Sequence, residues 1–231
     1  MDTALALPRE EIETRDFIVK VYHWMTAGLG LTGAVSLYMA GRPDMIRSLA
    51  QTPLLYYGLL IAELGAVFWL AGWVHQMSSR TASLVFLSYA ALNGVTFSTL
   101  FLVYTSSSIA NAFFVTAGTF GVMSVYGYTT KTDLTTIGNL CFMGLLGIIL
   151  ASIANIFFDN AKIGWITTYL GVLVFVGLTA YDTQKIKAMN IPADEGTDAE
   201  TKDAISGALA LYLDFINLFL DILRIMGKRR R

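Results

Sequence analysis

Several carboxylates lie within apolar stretches of this sequence, and three of them are the residues best suited to bind a proton or a cation. Asp214 is near the middle of the apolar segment 205–226, Glu63 is deep within LLIAELGAVFWLAGW, and Asp182 ends the apolar run GVLVFVGLTAY. An aspartate at the centre of a bilayer costs on the order of 2.5–3.5 kcal/mol. Each carboxylate therefore needs protein, water, a proton or a cation beside it.

The polar residues of segment 205–226 continue on one face of a helix. Residues separated alternately by four and three positions share a helix face. That face carries Asp203, Gly207, Ala210, Asp214, Asn217, Asp221 and Arg224. The other faces are apolar, so we expect this helix to lie inside a bundle with its acidic face against protein or water. Asp221 and Arg224 are one turn apart and are expected to pair.

The other two carboxylates are each open to a structural interpretation. Asp182 could be an interfacial carboxylate that pairs with Lys185 or Lys187. Glu63 could form an ion pair that fixes helix packing, with Arg80 or Arg224 as its partner. The residues alone do not decide between these structural roles and a functional one.

The composition indicates a membrane protein. The 231 residues are 55% hydrophobic and 14% charged, whereas about 25% of residues are charged in a typical soluble domain. A net charge of −1 gives no basis for nucleic-acid binding, and the acidic residues within 1–16 argue against a cleaved signal peptide. The single cysteine, Cys141, cannot form an internal disulfide, and no Cys/His spacing typical of a metal site is present.

Seven apolar segments are long enough to be membrane helices, which need about 20 mostly apolar residues. They predict an all-α polytopic membrane protein, because backbone groups in lipid must pair within the segment. An acidic stretch at 186–204 is predicted to be an exposed loop. The predicted segments are 18–40, 54–75, 82–104, 108–128, 135–158, 163–183 and 205–226.

The distribution of Lys and Arg favours a cytoplasmic N-terminus. On this basis the chain is divided into a cytoplasmic arm at 1–16, a seven-helix membrane domain at 17–226 and a basic tail at 227–231. If all seven segments cross, the basic tail lies on the side of the membrane opposite the N-terminus. Its positive charges would then offset the excess of Lys and Arg on the cytoplasmic side. Alternatively, the seventh segment is re-entrant and the tail lies inside.

Several stretches resemble the Bax inhibitor-1 family of membrane proteins, in their order and spacing. The resemblance implies seven transmembrane helices with the C-terminal helix central in the bundle, in a bacterial inner-membrane member of the family. It also implies a pH-sensitive calcium leak. The stretches that carry it are LNGVTFSTLFLVYT, YGYTTKTDLTTIG, FMGLLGIILASIANIF, TAYDTQKIK and LYLDFINLFLDILR.

The resemblance also implies roles for individual residues. Asp182 and Asp214 match a pair of aspartates that share a proton as a pH sensor, while Glu63 and Arg80 match an acidic and a basic residue of the second and third helices. When the pair loses its proton, both aspartates are expected to be transient Ca²⁺ ligands, because calcium prefers carboxylate oxygens. The remaining polar residues are expected to extend the ion path or supply counter-charge: Glu63, Arg80, Asn217, Asp221 and Arg224.

The main alternative is a membrane-embedded binding protein. Some bacterial members of the family that this sequence resembles restrain a membrane AAA protease. On this interpretation the arm at 1–16 would be the segment that binds the protease. An enzyme is not expected, because no glycine of a GxGD-type surround precedes Asp182 or Asp214. Besides the lipid bilayer, calcium is expected only as a permeant ion, and no tightly bound cofactor is expected.

Overall fold

A computed structural model describes residues 9–189 and 197–230, and this part of the chain is all-α, as predicted. No strand occurs in it, only one isolated bridge that pairs Tyr104 with Arg229. Residues 1–8 of the arm, 190–196 of the predicted loop and Arg231 of the tail lie outside the described residues. The helices are α1 (Arg9–Ala40), α2 (Pro43–Gln51), α3 (Pro53–Trp73), α4 (Ser79–Ser98), α5 (Leu100–Val103), α6 (Ser106–Thr129), α7 (Thr135–Phe158), α8 (Ala161–Lys187) and α9 (Asp198–Met226).

Five stretches of the described chain have the length and apolar composition of a membrane span. They are Pro53–Gln76, Ser79–Val103, Ser106–Thr129, Thr135–Phe158 and Ala161–Lys187. Their outward faces are apolar: Leu54 and Phe68 on α3 and Phe157 on α7 are all at least 70% exposed. Surfaces of this kind are stable in lipid and not in water. The crossing of α1 and α9, and the central position of α9, remain predictions.

The helix ends differ from the predicted segments where the helices continue into polar sequence. Helix α1 begins at Arg9, so the predicted boundary at residue 16 lies inside a helix. The loop predicted at 186–204 is wrong at both ends, because α8 extends to Lys187 and α9 begins at Asp198. Glu, Lys and Arg have high helix propensity, and hydropathy registers only the apolar part of a helix.

The described residues form two compact units. The first comprises the chain up to Thr99 together with residues of 186–209. In it α1 packs on α4, where the Trp24 and Phe86 rings meet edge to face at 6.3 Å between centroids. The Thr32 hydroxyl also donates a hydrogen bond of 2.8 Å to the Ala90 carbonyl. An aromatic contact and an interhelical hydrogen bond together hold these two helices in register.

The first turn of α9 is fixed within the first unit by polar contacts. Asp198 Oδ1 accepts a hydrogen bond of 2.8 Å from the Ser79 backbone N–H, which is otherwise unsatisfied at the start of α4. Lys202 Nζ lies 3.1 Å from Asp198 Oδ2. Lys20 on α1 forms an ion pair of 2.9 Å with the buried Glu200 carboxylate. These contacts explain why a helix begins in sequence that is too polar for lipid.

An Asp198→Asn variant tests this arrangement. Hydrogen bonds from Ser79, together with the nearby Lys202, lower the pKa of Asp198 to about 2. A carboxyl group with a lowered pKa in the folded state stabilises it above the unfolded value of about 4, and this contribution disappears as the pH falls through about 2. We therefore expect the variant to unfold at a lower temperature than the wild type near neutral pH, with the difference vanishing as the pH approaches about 2.

Circular dichroism of the detergent-solubilised protein measures these unfolding temperatures. Asp44→Asn is a suitable control, because Asp44 is almost fully exposed and lies 3.9 Å from Arg47, a pair expected to contribute little. Equal unfolding temperatures of Asp198→Asn and wild type at neutral pH would show that Asp198 does not stabilise the start of α4.

The second unit contains residues 100–185 and 210 to the C-terminus. Gly127 at the end of α6 lies against Ala180 on α8, and the Gln184 amide donates a hydrogen bond of 2.8 Å to the Thr132 carbonyl. The two contacts follow the same order along both segments, so α6 and α8 run parallel. Within this unit α9 is unbroken through Met226.

The basic tail contacts the turn between α5 and α6. The Thr105 backbone N–H donates to the Lys228 carbonyl at 3.1 Å, and the Arg230 N–H donates to the Val103 carbonyl at 2.8 Å. The Arg230 guanidinium also donates to the Phe101 carbonyl at 2.8 Å. Carbonyls at a helix C-terminus lack intrahelical partners, and basic groups satisfy them favourably. These charges therefore have a structural role besides any influence on orientation.

Candidate proton and cation site

Helices α8 and α9 position the two aspartates that the sequence singles out. Asp182 lies in the second-last turn of α8, and Asp214 lies near the middle of α9. The neighbours of Asp214 along α9 include the fully buried Tyr212 and the buried Phe215. Both aspartates belong to the second unit. An apolar helix that is buried on most sides thus carries the Asp214 carboxyl group towards Asp182 on α8.

A side-chain hydrogen bond joins Asp182 and Asp214. Asp214 is 4% exposed, and its Oδ2 atom has no hydrogen-bond partner among the described residues. Ionised carboxylates only accept hydrogen bonds, so a hydrogen bond between two carboxyl groups requires a proton on one of them. Two ionised carboxylates within hydrogen-bond distance of each other in an apolar interior would repel each other strongly. The geometry is therefore suited to hold one shared proton.

Two further titratable groups lie within electrostatic range of the aspartates. Lys185, one turn beyond Asp182 on α8, interacts electrostatically with Asp182. Cys141 on α7 interacts electrostatically with Asp214. Asp182 therefore forms a hydrogen bond with Asp214 and also has a lysine nearby. The lysine is the partner expected if Asp182 is an interfacial carboxylate. No cluster of three potential metal-ligating His, Cys, Asp or Glu residues occurs in the described part of the chain.

The other end of the acidic face of α9 meets the N-terminal half of α8. Arg224 Nη1 donates a hydrogen bond of 3.2 Å to Thr168 Oγ1. Arg224 interacts with Asp221 electrostatically, but in the described residues the two side chains form no direct ion pair. Gly171 leaves the space that the Asp221 carboxylate occupies. Asn217 donates to the Leu213 carbonyl of its own helix at 2.8 Å.

Glu63 and Arg80 belong to the first unit. The Thr96 hydroxyl on α4 donates a short hydrogen bond to Glu63 Oε1 on α3. Arg80 lies in the first turn of α4 and is exposed, and within the described residues it makes no contact with Glu63. Within the described residues the hydrogen-bond partner of Glu63 is therefore the Thr96 hydroxyl group, and Arg80 forms no ion pair with Glu63.

Sequence reasoning missed the two threonines that hold Glu63 and Arg224. Threonine hydroxyls in helices commonly donate to the carbonyl four residues earlier. Thr116 and Thr179 do so here, at 2.7 Å each. Thr96 and Thr168 differ from Thr116 and Thr179 only in having a charged side chain of a neighbouring helix beside them. The sequence alone therefore does not distinguish the two kinds of threonine.

Comparison with known proteins decides the family. The family model described as "Inhibitor of apoptosis-promoting Bax1" matches residues 14–231. The chain belongs to the Bax inhibitor-1 family. The inner membrane protein YbhL of Escherichia coli is 47% identical over 228 residues, which cover 98% of this chain and 97% of the relative. An uncharacterized protein of Borreliella burgdorferi is 42% identical over 228 residues, which cover 98% of each chain.

More distant relatives in the Bax inhibitor-1 family also align along most of their length. A protein of Rickettsia prowazekii is 40% identical over 218 residues, which cover 94% of this chain and 91% of the relative. The family match includes every candidate site residue, from Glu63 to Arg224. Together with the five apolar spans, the match shows that the chain is an all-α membrane protein of the Bax inhibitor-1 family.

Proposed function

We propose that this Bax inhibitor-1 protein is a pH-sensitive leak for calcium, in which a proton shared by Asp182 and Asp214 controls the passage of the ion. The observation that carries the proposal is the hydrogen bond between these two carboxyl groups, one of which is almost completely buried. A group that must be protonated to make a contact between two helices couples that contact to pH.

The switch follows from the charge of the pair. With one proton, the carboxyl groups attract each other and tie α8 to α9. Without it, two negative charges repel in a medium that screens them poorly, and the contact between the helices is weakened. The same change leaves ionised carboxylate oxygens, which are the ligands that calcium prefers. A change of pH would thus alter both the helix contact and the affinity of the site for the ion.

The acidic face of α9 supplies a path beyond the pair. Asn217 and Asp221 follow Asp214 on the same face at intervals of three and four residues. Arg224, held by Thr168 at the end of this face, supplies counter-charge that would slow the exit of a cation. Glu63 in the first unit is the remaining acidic group proposed to line the path.

We further propose that the protein resides in the inner membrane of a bacterium with its N-terminus in the cytoplasm. The name of the E. coli relative supports the location. The concentration of Lys and Arg on one side of the first six apolar segments supports the orientation.

Calcium flux into liposomes tests the proposal. Purified protein is reconstituted around a calcium indicator, and the initial rate is measured from mildly acidic to mildly alkaline pH. Each pH unit away from the midpoint changes the ratio of protonated to ionised pair about tenfold, so the wild-type rate should follow pH. Asparagine is uncharged at every pH, so Asp182→Asn and Asp214→Asn should each abolish this dependence.

Asp133→Asn is the matched control. Asp133 is an exposed carboxylate of the same unit, and hydrogen bonds from Thr135 hold its pKa below the usual range, so it stays ionised throughout the experiment. This control should leak like the wild type. The proposal fails if Asp182→Asn and Asp214→Asn keep the wild-type rate and pH profile while Asp133→Asn confirms that the assay is sound.

A further inference from the structure

The end of α8 that carries Asp182 is joined to the turn between α6 and α7 by one glutamine. Gln184 Oε1 accepts a hydrogen bond of 2.8 Å from the Leu134 backbone N–H. Gln184 Nε2 donates a hydrogen bond of 2.8 Å to the Thr132 carbonyl. An amide side chain that both donates and accepts along one short backbone segment is held in a single orientation. The turn and the end of α8 therefore have a fixed register.

The start of α7 depends on this glutamine for a hydrogen-bond acceptor. Leu134 precedes the first residue of α7, and its buried apolar side chain cannot cap the helix. The first N–H groups of a helix have no acceptor within the helix. The Thr135 N–H is satisfied by Asp133 Oδ1 at 2.9 Å, and the Leu134 N–H is satisfied by Gln184. Gln184 thus caps α7 from a different helix.

Two neighbouring residues of α8 pack against α6 and α7 on the same side as Gln184. The backbone of Ala180 lies against Gly127 of α6, and the Tyr181 ring occupies the space that a Cβ atom on Gly138 of α7 would fill. Residues three and four positions apart share a helix face, so Ala180, Tyr181 and Gln184 face the same way. Close packing of this kind leaves little room for the end of α8 to rotate.

Asp182 lies on the opposite face of the same turn. Two positions correspond to about 200° around a helix axis, so Asp182 points away from Ala180 and Gln184. It points towards α9, where it forms the hydrogen bond with Asp214. One turn of α8 is thus held by the α6–α7 turn on one side and presents a carboxyl group to α9 on the other. The contacts that fix the rotation of this turn also fix the direction of Asp182.

We propose that Gln184 is a positioning residue of the Asp182–Asp214 pair, which holds the end of α8 in the rotation that lets the two carboxyl groups share a proton. Hydrogen bonds weaken steeply as distance and angle depart from the ideal, so a small rotation of α8 suffices to separate the pair. The bonds of Gln184 join an amide to backbone groups, none of which ionises. They therefore hold α8 in the same way whether the pair is protonated or ionised.

This inference rests on the proposed function for the importance of the aspartate pair, but the positioning does not require that the protein conducts calcium. Infrared spectroscopy tests it directly. In lipid at mildly acidic pH, the C=O stretching band of the protonated pair is identified by its loss in Asp214→Asn. Loss of a hydrogen bond moves such a band to higher frequency. We expect this shift in Gln184→Leu, which is similar in size and makes neither bond to the turn.

A shorter amide provides the second variant. Gln184→Asn keeps the amide group but lacks one CH₂ group, so the amide no longer reaches both the Thr132 carbonyl and the Leu134 N–H. The band should move in the same direction as in Gln184→Leu. If Gln184→Leu does not fold, the band of Gln184→Asn decides the inference by the same criterion.

The pH profile of the calcium leak is the second measurement. Because a misaligned pair no longer ties α8 to α9 through its proton, the ratio of leak rates at the two ends of the pH range should fall in Gln184→Leu. It should approach the ratio found for Asp182→Asn. A role of Gln184 in stability alone would lower the unfolding temperature and leave this ratio unchanged.

Thr32→Val is the matched control. It removes an interhelical hydrogen bond of 2.8 Å to the Ala90 carbonyl in the first unit, away from the aspartate pair. Thr32→Val and Gln184→Leu should both unfold at a lower temperature than the wild type. Only Gln184→Leu should move the infrared band and flatten the pH profile.

The possible results separate this inference from the proposed function. An unmoved band in Gln184→Leu, with the wild-type pH profile of the leak, would overturn the positioning role and leave the proposed function intact. A moved band in a protein without a pH-dependent leak would support the positioning role and contradict the proposed function. If Asp214→Asn removes no band, the pair shares no proton and both are wrong.

Discussion

A leucine in place of Gly127 should force α6 away from α8 and destabilise the folded protein by about 3 kcal/mol. A Cβ atom at this position would stand 2.9 Å from the Ala180 carbonyl carbon and closer still to its oxygen. Carbon atoms in contact prefer a separation of roughly 3.5–4.0 Å. The obstacle is the backbone of a buried helix segment and not a flexible side chain, so local rearrangement cannot relieve the overlap.

Thermal unfolding of the detergent-solubilised protein measures this effect, and 3 kcal/mol corresponds to a decrease of roughly 6–12 °C in a chain of this size. Gly121→Leu is the matched control, because Gly121 is exposed on the same helix and a Cβ atom there would meet nothing within 4 Å. Leucine favours helix more than glycine does, so the control should unfold at or slightly above the wild-type temperature. Equal temperatures for the two variants would contradict the close packing of α6 on α8.

The apolar part of each helix could be predicted from the sequence, because a lipid-facing helix must be apolar along its span. The prediction for 135–158 coincides with α7, whose outward side chains such as Phe157 are exposed. The helix ends were less predictable where they leave the apolar region. The start of α9 depends on Asp198 and its contact with Ser79, two residues that are 119 positions apart.

The interruption between α4 and α5 shows a second limit. Hydropathy predicts one continuous segment at 82–104, but α4 ends at Ser98 and α5 begins at Leu100. The Ser98 and Thr99 hydroxyls donate to the Val95 and Thr96 carbonyls at 2.6 and 2.7 Å. Such side-chain bonds compete with the helical hydrogen bonds and bend the helix. Ser–Thr pairs also occur in unbroken helices, so the sequence does not predict the break.

The candidate site was identified from the sequence because charges are rare among apolar residues. Asp182, Asp214 and Glu63 were conspicuous for this reason, and the resemblance to the Bax inhibitor-1 family supplied the pairing of the two aspartates. Their roles stay a proposal. Thr96 and Thr168 were not conspicuous, because a hydroxyl residue in a membrane helix is common and costs little. Their partners on neighbouring helices are a property of the fold, and only the structure could single these two residues out.

The space that Gly171 leaves for Asp221 leads to a prediction about the path along α9. A Cβ atom on residue 171 would stand 2.9 Å from Asp221 Cγ and closer still to Oδ2. Gly171→Ala should therefore displace the Asp221 carboxylate from the seam with α8, and because the displaced group ends a flexible side chain the protein should lose at most about 1 kcal/mol of stability. Because the carboxylate leaves the acidic face, the calcium leak should also decrease.

A double-mutant cycle isolates this contact. In an Asp221→Ala background the obstructing carboxylate is absent, and alanine has higher helix propensity than glycine. Gly171→Ala should then be neutral or slightly stabilising, which gives a coupling energy of about 1–2 kcal/mol between the two positions. The unfolding temperatures of the four proteins provide the cycle. Additive effects would mean that residue 171 and Asp221 are not in contact.

The cycle also separates the ion path from the proton switch. Asp221→Ala removes a carboxylate from the path without touching Asp182 or Asp214, so the rate of calcium flux should fall while its dependence on pH remains. Gly171→Ala should reduce the rate only where Asp221 is present, because its effect acts through that side chain. Gly147→Ala on α7 is the control, since a Cβ atom there would meet nothing within 4 Å. A flux that loses its pH dependence in Asp221→Ala would assign the proton switch to Asp221, in place of the aspartate pair.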